Sequence, residues 1–269
     1  MMISFKLPIH NMVDPMEADR SQLRYNGRLS PEIALFQGKG TGNAGTPTEK
    51  IRRQLSQLGS GYIPELIFHP MCGAGRWAQE THTCWPTSKY VGVDISRHTI
   101  DAAIALGPDE NSSFWEQDVS EPWPESAYNA DLVLLTFEAI NYFNSDALER
   151  LLRRLGELPR LQRLLIDAHV PLTSDFRSRA SLGLTNAHPF TMSGSLVFER
   201  RRYIGRRPSP EGFQDAILTL SKHGVRFARS SVWYHDPAWI NTQLSKFSLL
   251  LLDSWQDARS STYIYRRAS

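Results

Sequence analysis

Three short segments hold residues whose types and order can do chemistry. In the first, residues 68–78 (FHPMCGAGRWA), an apolar run enters a turn on Gly73 and Gly75, and a helical pattern follows. Glycine lets a ligand approach the backbone closely, and a helix start offers unpaired N–H groups. In the second, VGVDIS, an apolar run ends at Asp94, where a carboxylate can accept hydrogen bonds from both hydroxyls of a ribose. In the third, EQDV, Asp118 sits between Gln117 and Val119, where the edge of an adenine could be read. Ligands of open parallel sheets bind beyond the carboxyl ends of the strands. A glycine turn, an acid and a second acid, in that order, therefore point to a nucleoside-bearing ligand. The bland reading of the same residues is a tight strand–helix turn with two solvated acids. GAGRWA also satisfies G-x-G-x-x-A, with Asp94 roughly 20 residues further on, as in dinucleotide sites. Against that, Arg76 and Trp77 put bulk into the first helical turn, no Tyr-x-x-x-Lys pair is present, and Asp118 would lack a role.

The elements that must position these residues are legible as an alternation. Apolar runs at 65–69, 89–96, 112–119, 131–137 and 163–170 read as strands, and 76–82, 97–106 and 146–158 as helices. Strands alternating with helices predict a parallel sheet with helices on both faces, and the continuous apolar runs fit strands buried on both sides. A helix is expected over 49–58, from Ile51, Leu55 and Leu58. Beyond Pro171 the pattern predicts a strand over 195–204, a helix over 211–223 and a strand over 225–235. A helix capped by Asp236 with Pro237 at its first position follows, then an antiparallel pair over 248–255 and 261–268.

The chain has 269 residues, 41% hydrophobic and 22% charged, which suits one globular domain with an embellishment. Residues 1–60 read as an N-terminal extension holding a helix near 16–29 and a flexible Gly/Thr-rich loop, GKGTGNAGTPTE. That loop fails the phosphate-loop pattern, because Gly40 rather than Ser or Thr follows Lys39. Residues 61–269 form the main domain, with a substrate-side insertion at about 171–235. A net charge of +2 gives no reason to expect nucleic acid. No apolar run approaches the roughly 18 residues of a membrane helix, and the first residues lack a signal-peptide pattern. The two cysteines, Cys72 and Cys84, support neither a disulfide framework nor a four-thiolate zinc site, and no H-E-x-x-H or C-x-x-C spacing occurs, so no metal is expected. A cytoplasmic setting fits best, and a homodimer is left open.

Taken together, CGAGRWA, VGVDIS, EQDV and ADLVLLTFEAINYF resemble the four ordered motifs of the class I S-adenosylmethionine-dependent methyltransferases, over about residues 61–269. The resemblance is to the small-molecule members. It implies a three-layer, Rossmann-like α/β fold with a seven-stranded, mostly parallel sheet and a C-terminal antiparallel hairpin. It implies S-adenosylmethionine as cofactor and a small-molecule oxygen or nitrogen acceptor. His69, Met71, Cys72, Gly73, Ala74, Gly75 and Arg76 would line the methionine part of the cofactor. Asp94 with Ile95 would hold the ribose, and Gln117, Asp118 and Val119 would flank the adenine. Thr136 and Phe137 would stand near the methyl donor, and Tyr25 would belong to an N-terminal lid.

The family usually has an acid where His69 stands and a glycine where Met71 stands. These departures are also what a binding protein that keeps the fold without methyl transfer would show. For an enzyme, the acceptor should sit above the fourth and fifth strands. There His169 is the candidate base, Glu138 a candidate orienting group, and Tyr142, with Phe137, a candidate wall. Each has a structural reading too, as a strand-end histidine, a turn cap and core packing. His188 and His235 read as surface or structural histidines, and Arg200, Arg201, Arg202, Arg206 and Arg207 as a charged edge strand.

Overall fold

The computed structural model describes residues 47–59, 61–106, 110–137, 139–169, 190–192, 195–203, 211–221, 224–256 and 260–268. Its centre is a seven-stranded sheet built from β1 (Leu66–Pro70), β2 (Lys89–Asp94), β3 (Ser112–Glu116), β4 (Leu132–Leu135), β5 (Arg163–His169), β10 (Leu249–Gln256) and β11 (Ser260–Arg267). The strand order is β10-β11-β5-β4-β1-β2-β3. β1 to β5 are mutually parallel, while β11 runs antiparallel to both β5 and β10. The order reverses between β1 and β4, which is where an open sheet of this kind parts its loops and leaves a crevice.

Helices cover both faces. α1 (Pro47–Ser56) and α2 (Arg76–Cys84) set Ile51, Leu55, Leu58, Trp77 and Ala78 against Ile67, Leu132, Leu134 and Leu165. α4 (Ser145–Gly156) and α5 (Pro237–Ser245) set Leu148, Leu151, Leu152, Leu155, Ile240 and Leu244 against Phe68, Val133 and Ile166 on the other face. α3 (Arg97–Ala105) joins β2 to β3. Helix starts follow the sequence signals. The side chain of Asn144 accepts from the N–H of Ala147 at 2.9 Å to open α4, and that of Asp236 accepts from the N–H of Ala238 at 2.9 Å to open α5.

Between β5 and α5 lies a second, four-stranded antiparallel sheet of β6 (Phe190–Met192), β7 (Ser195–Tyr203), β8 (Glu211–Ser221) and β9 (Gly224–Tyr234). The expected helix over 211–223 is therefore wrong. β8 pairs along its length with β9 and along most of it with β7. Gly212, Ile217 and Thr219 are poor helix formers, and two flanking strands satisfy the backbone of this segment better than a lone helix would. The expected helix near 16–29, the loop over 38–46, His188, Arg206 and Arg207 lie outside the described residues. Among the described residues, no helix is long and apolar enough to cross a membrane, and no group of acids, histidines and cysteines is arranged to hold a metal.

Candidate cofactor and active site

The turn after β1 is built from three positive backbone angles: Met71 at φ 61°, Gly73 at 55° and Gly75 at 74°. The two glycines serve different ends. A Cβ on Gly75 would lie 2.9 Å from the Cβ of Ala103, so this glycine lets α2 start hard against α3. A Cβ on Gly73 would meet nothing within 4 Å, so its face is open to a ligand. Met71 holds a conformation that suits glycine, at a cost of about 1–2 kcal/mol. Its side chain packs against the core cluster that includes Phe68 and Val93 rather than crowding the ligand side. Cys72 is buried, and its N–H closes the turn on the carbonyl of Val93 at 2.9 Å. Ala74 and Arg76 are half-buried at the start of α2.

Asp94 ends β2 beside this turn. Its Oδ2 accepts the N–H of Gly73 at 2.9 Å, and its Oδ1 accepts the N–H of Ser96 at 2.9 Å and the hydroxyl of Thr99 at 3.0 Å. Burial pushes its carboxyl above the usual carboxylate range, against the pull of those three donors. A carboxylate offers about four lone-pair sites. Three are used, so Oδ2 keeps one for a ligand hydroxyl. Ile95 is half-buried next to it. At the end of β3, the N–H of Gln117 donates to the carbonyl of Asp94 at 2.8 Å, and its side-chain amide donates to the carbonyl of Pro122. Asp118 is half-buried, and Val119 is buried.

His69 is fully buried, with Nδ1 2.5 Å from the hydroxyl of Tyr90 and Nε2 2.9 Å from that of Thr136. Burial lowers its pKa to about 3, so it is neutral. The ring is an uncharged bridge joining β1, β2 and the end of β4. The hydroxyl of Thr136 is engaged in that bridge. Phe137 follows at φ 52°, edge-on to Trp77 with ring centroids 6.4 Å apart. Its N–H donates to Oδ2 of Asp167 at 3.2 Å.

Asp167 was missed by the sequence reading. It is fully buried, and its Oδ1 accepts from Gln54 Nε2 and from Thr262 Oγ1, each at 2.6 Å. Lys50 Nζ lies 3.7 Å from Oδ2 and donates to Ser260 Oγ at 2.8 Å. Burial raises the Asp167 carboxyl, while Lys50 and the hydrogen bonds oppose the rise. One carboxylate thus ties α1, β5, β11 and the turn after β4. The signal for it was an acid inside an apolar run, RLLIDAHV.

The acceptor-side candidates fare unevenly. His169 ends β5 opposite Ser260, and its side chain lies outside the described residues, as do Glu138 and Tyr25. Tyr142 is half-buried in a 3₁₀ turn over Ala139–Tyr142. In that turn the side-chain amide of Asn141 donates to the carbonyl of Trp233. His235 is buried, its Nε2 2.9 Å from the carbonyl of Phe143, and burial lowers its pKa to about 4. It is the structural histidine the sequence suggested.

Residues 67–160 match the family model of a methyltransferase domain. No curated protein matches this chain by sequence. Among solved structures, this chain is similar in fold to an S-adenosylmethionine-dependent methyltransferase from Clostridium acetobutylicum, at 13% identity and a TM-score of 0.62, over 84% of this chain and 94% of that one. It is also similar to the sugar N-methyltransferase KedS8 from Streptoalloteichus, at 16% identity and a TM-score of 0.61, over 88% and 92% of the two chains. A third is CalS10, an amino pentose methyltransferase from Micromonospora echinaspora solved with S-adenosylmethionine bound, at 12% identity and a TM-score of 0.59, over 88% and 96%.

For this chain the methyltransferase-domain match implies S-adenosylmethionine as the cofactor. The chain's residues fit that group at two points: the open face of Gly73 and the unused lone pair of Asp94 beside it. When bound, the cofactor's sulfonium supplies an already activated methyl group. The chain's own part is to bind, align and exclude water. Asp94 would accept a ribose hydroxyl, and Asp118 and Val119 would border the base. The neutral His69 bridge links the end of β1 to the start of β2 and to Thr136 just past β4, and Asp167 pins the peptide of Phe137.

Proposed function

We propose that this enzyme methylates an oxygen or nitrogen atom of a small molecule. The observation that carries the reading is the link between the turn after β4 and the second sheet. The carbonyl of Trp233 on β9 accepts from Asn141, and His235, one residue past β9, contacts the carbonyl of Phe143. A sheet tied to the acceptor-side turn by its last strand suits a wall around a small acceptor. The sugar N-methyltransferase and amino pentose methyltransferase among the similar structures support the same class of acceptor. On this reading residues 171–235 are the substrate-side insertion, and the part of the 1–60 extension that precedes α1, with Tyr25, is a lid that limits water at the site. His169 takes the acceptor's proton, Glu138 orients the acceptor and Tyr142 walls the methyl site. The mild charge and the two unpaired cysteines support a cytoplasmic enzyme without a nucleic-acid substrate.

The test has two parts. S-adenosylhomocysteine should raise the melting temperature, since a ligand that binds only the folded state stabilises it by about 2.7 kcal/mol at a hundredfold excess over its Kd. Turnover should then be screened against amino sugars, other amines and phenols. His169→Ala should slow turnover with an active acceptor and leave S-adenosylhomocysteine affinity intact. No melting shift at millimolar ligand, or no transfer to any small acceptor, contradicts the proposal.

A further inference from the structure

We propose that Arg154 is a positioning residue that orients the carboxylate of Asp118 toward the cofactor's adenine, and so helps select a 6-aminopurine. The inference rests on the reading of Asp118 as an adenine contact and adds a residue to it.

Arg154 stands in the last turn of α4. Its Nη1 donates to the carbonyls of Val119 at 2.9 Å and Ser120 at 3.0 Å, and its Nη2 to that of Glu121 at 2.8 Å. The guanidinium lies 3.9 Å over the ring of Trp123, whose Nε1 also donates to the Val119 carbonyl, at 2.9 Å. Three successive carbonyls of a segment outside the strands and helices therefore converge on one cation. The fixed fork of donors in arginine allows this, and the single ammonium of lysine does not reproduce it.

The consequence for Asp118 follows from peptide planarity. In a trans peptide the carbonyl and the N–H point in opposite directions, so anchoring one end aims the other. The peptide from Val119 to Ser120 has its carbonyl on Arg154 and its N–H on Asp118 Oδ1, at 2.8 Å. The next peptide, from Ser120 to Glu121, has its carbonyl on Arg154 and its N–H on the main-chain carbonyl of Asp118, at 3.0 Å. Two adjacent peptide dipoles thus run between the guanidinium and Asp118. They occupy Oδ1 and leave Oδ2 as the acceptor. An acceptor fixed at the base's edge suits the 6-amino group of adenine and repels the 6-oxo group of hypoxanthine. Without Arg154 the peptide from Ser120 to Glu121 loses its anchor and the peptide from Val119 to Ser120 keeps only the Trp123 indole, so the bearing of the carboxylate loosens.

The experiment compares S-adenosylhomocysteine with S-inosylhomocysteine by calorimetry on the full chain and on Arg154→Gln, Arg154→Lys and Asp118→Asn, with melting curves to confirm folding. The unmodified protein should prefer the adenine form. Arg154→Gln should weaken the adenine form by about tenfold, or 1.4 kcal/mol. The inosine form should change little, so the ratio of the two affinities shrinks, and Arg154→Lys should fall between. If Arg154→Gln does not fold, the ratio for Arg154→Lys decides. General loosening of the fold would weaken both ligands alike and keep the ratio, and that result overturns the proposal. A ratio lost in Asp118→Asn but kept in the Arg154 variants removes Arg154 alone. A ratio unchanged in Asp118→Asn removes the adenine assignment itself, and with it the proposal.

Discussion

The Nδ1 of His69 lies 2.5 Å from the hydroxyl of Tyr90, fully buried between β1 and β2. The hydroxyls of Tyr90 and Thr136 can each donate or accept, so they suit either tautomer of the neutral ring that burial favours. Burial, rather than the choice of partners, keeps this bridge uncharged.

The sign of the pH dependence follows. His69 has a folded pKa of about 3, against an ordinary value of 6.5, so between those pH values the unfolded chain takes a proton that the folded one refuses. Its stabilisation is present above pH 6.5 and is lost as pH falls toward 3. His235, lowered to about 4, acts in the same direction, while Asp94 and Asp167, raised by burial, act in the opposite one. Comparison with His69→Gln isolates the one group, because the amide can still donate and accept. Urea unfolding between about pH 4 and 6 should show a dependence flatter by about 1.4 kcal/mol per pH unit in the variant. Parallel curves for the two proteins would show that the folded imidazole titrates normally.

The two glycines of the turn should respond differently to alanine. Both substitutions force a side chain into positive φ, at about 1–2 kcal/mol. Gly75→Ala adds contacts at 2.9 Å to Ala103 and 3.2 Å to Phe114, and overpacking of this kind costs about 1–3 kcal/mol more. Gly73→Ala meets no protein atom, so its added methyl occupies only ligand space. Gly75→Ala should therefore show the lower melting temperature, and Gly73→Ala the weaker binding of S-adenosylhomocysteine per unit of stability lost. The reverse ranking would mean that the open side of Gly73 is not the ligand side.

Asp94→Ala should weaken S-adenosylhomocysteine by at least about tenfold, or 1.4 kcal/mol. It removes the acceptor with a free lone pair, and it also frees the N–H of Gly73, whose turn then loses a brace. Asp94→Asn is the sharper variant. Its amide carbonyl can replace Oδ1 toward Ser96 and Thr99, but its NH2 then faces the N–H of Gly73. A loss in Asn as large as in Ala would assign the effect to Oδ2. Unchanged calorimetric affinity in both would withdraw Asp94 from the site.

The sheet and its order of motifs were legible because continuous apolar runs alternate with helical periods, a local signal that burial on both faces imposes. The motif acids at 94 and 118 were legible for the same reason, since each ends such a run. The nature of β8 was not, because EGFQDAILTLSKH carries no period that decides between helix and strand, and its flanking strands decide instead. Arg154 was illegible for a different reason. On the sequence it is one of two adjacent arginines in a helix, and its role exists only through carbonyls more than 30 residues away. The bulk of Met71 looked like an obstacle, and only the turn's geometry shows the side chain directed to the core.

Asp167 offers the most severe test of how the site is braced. Asp167→Ala would remove the acceptor of the Phe137 N–H and the carboxylate that Gln54, Thr262 and Lys50 share, leaving Gln54 bonded to Thr262 and Lys50 to Ser260. Removing one partner from a buried charged pair costs about 3–5 kcal/mol. Thr262→Val deletes two hydrogen bonds, one given to Asp167 and one received from Gln54, and should cost about 1–3 kcal/mol. The two should also differ in function. Asp167 alone holds the peptide of Phe137, whose positive φ of 52° needs an outside restraint. A chain that survives as Asp167→Asn should therefore lose turnover through kcat more than through the KM for cofactor, because the acceptor-side turn relaxes while Gly73 and Asp94 stay in place. Thr262→Val should leave both nearly unchanged. Asp167→Ala unfolding within about 1 kcal/mol of the parent would show that the cluster is a passive filling of the core, and the turn after β4 would need another brace.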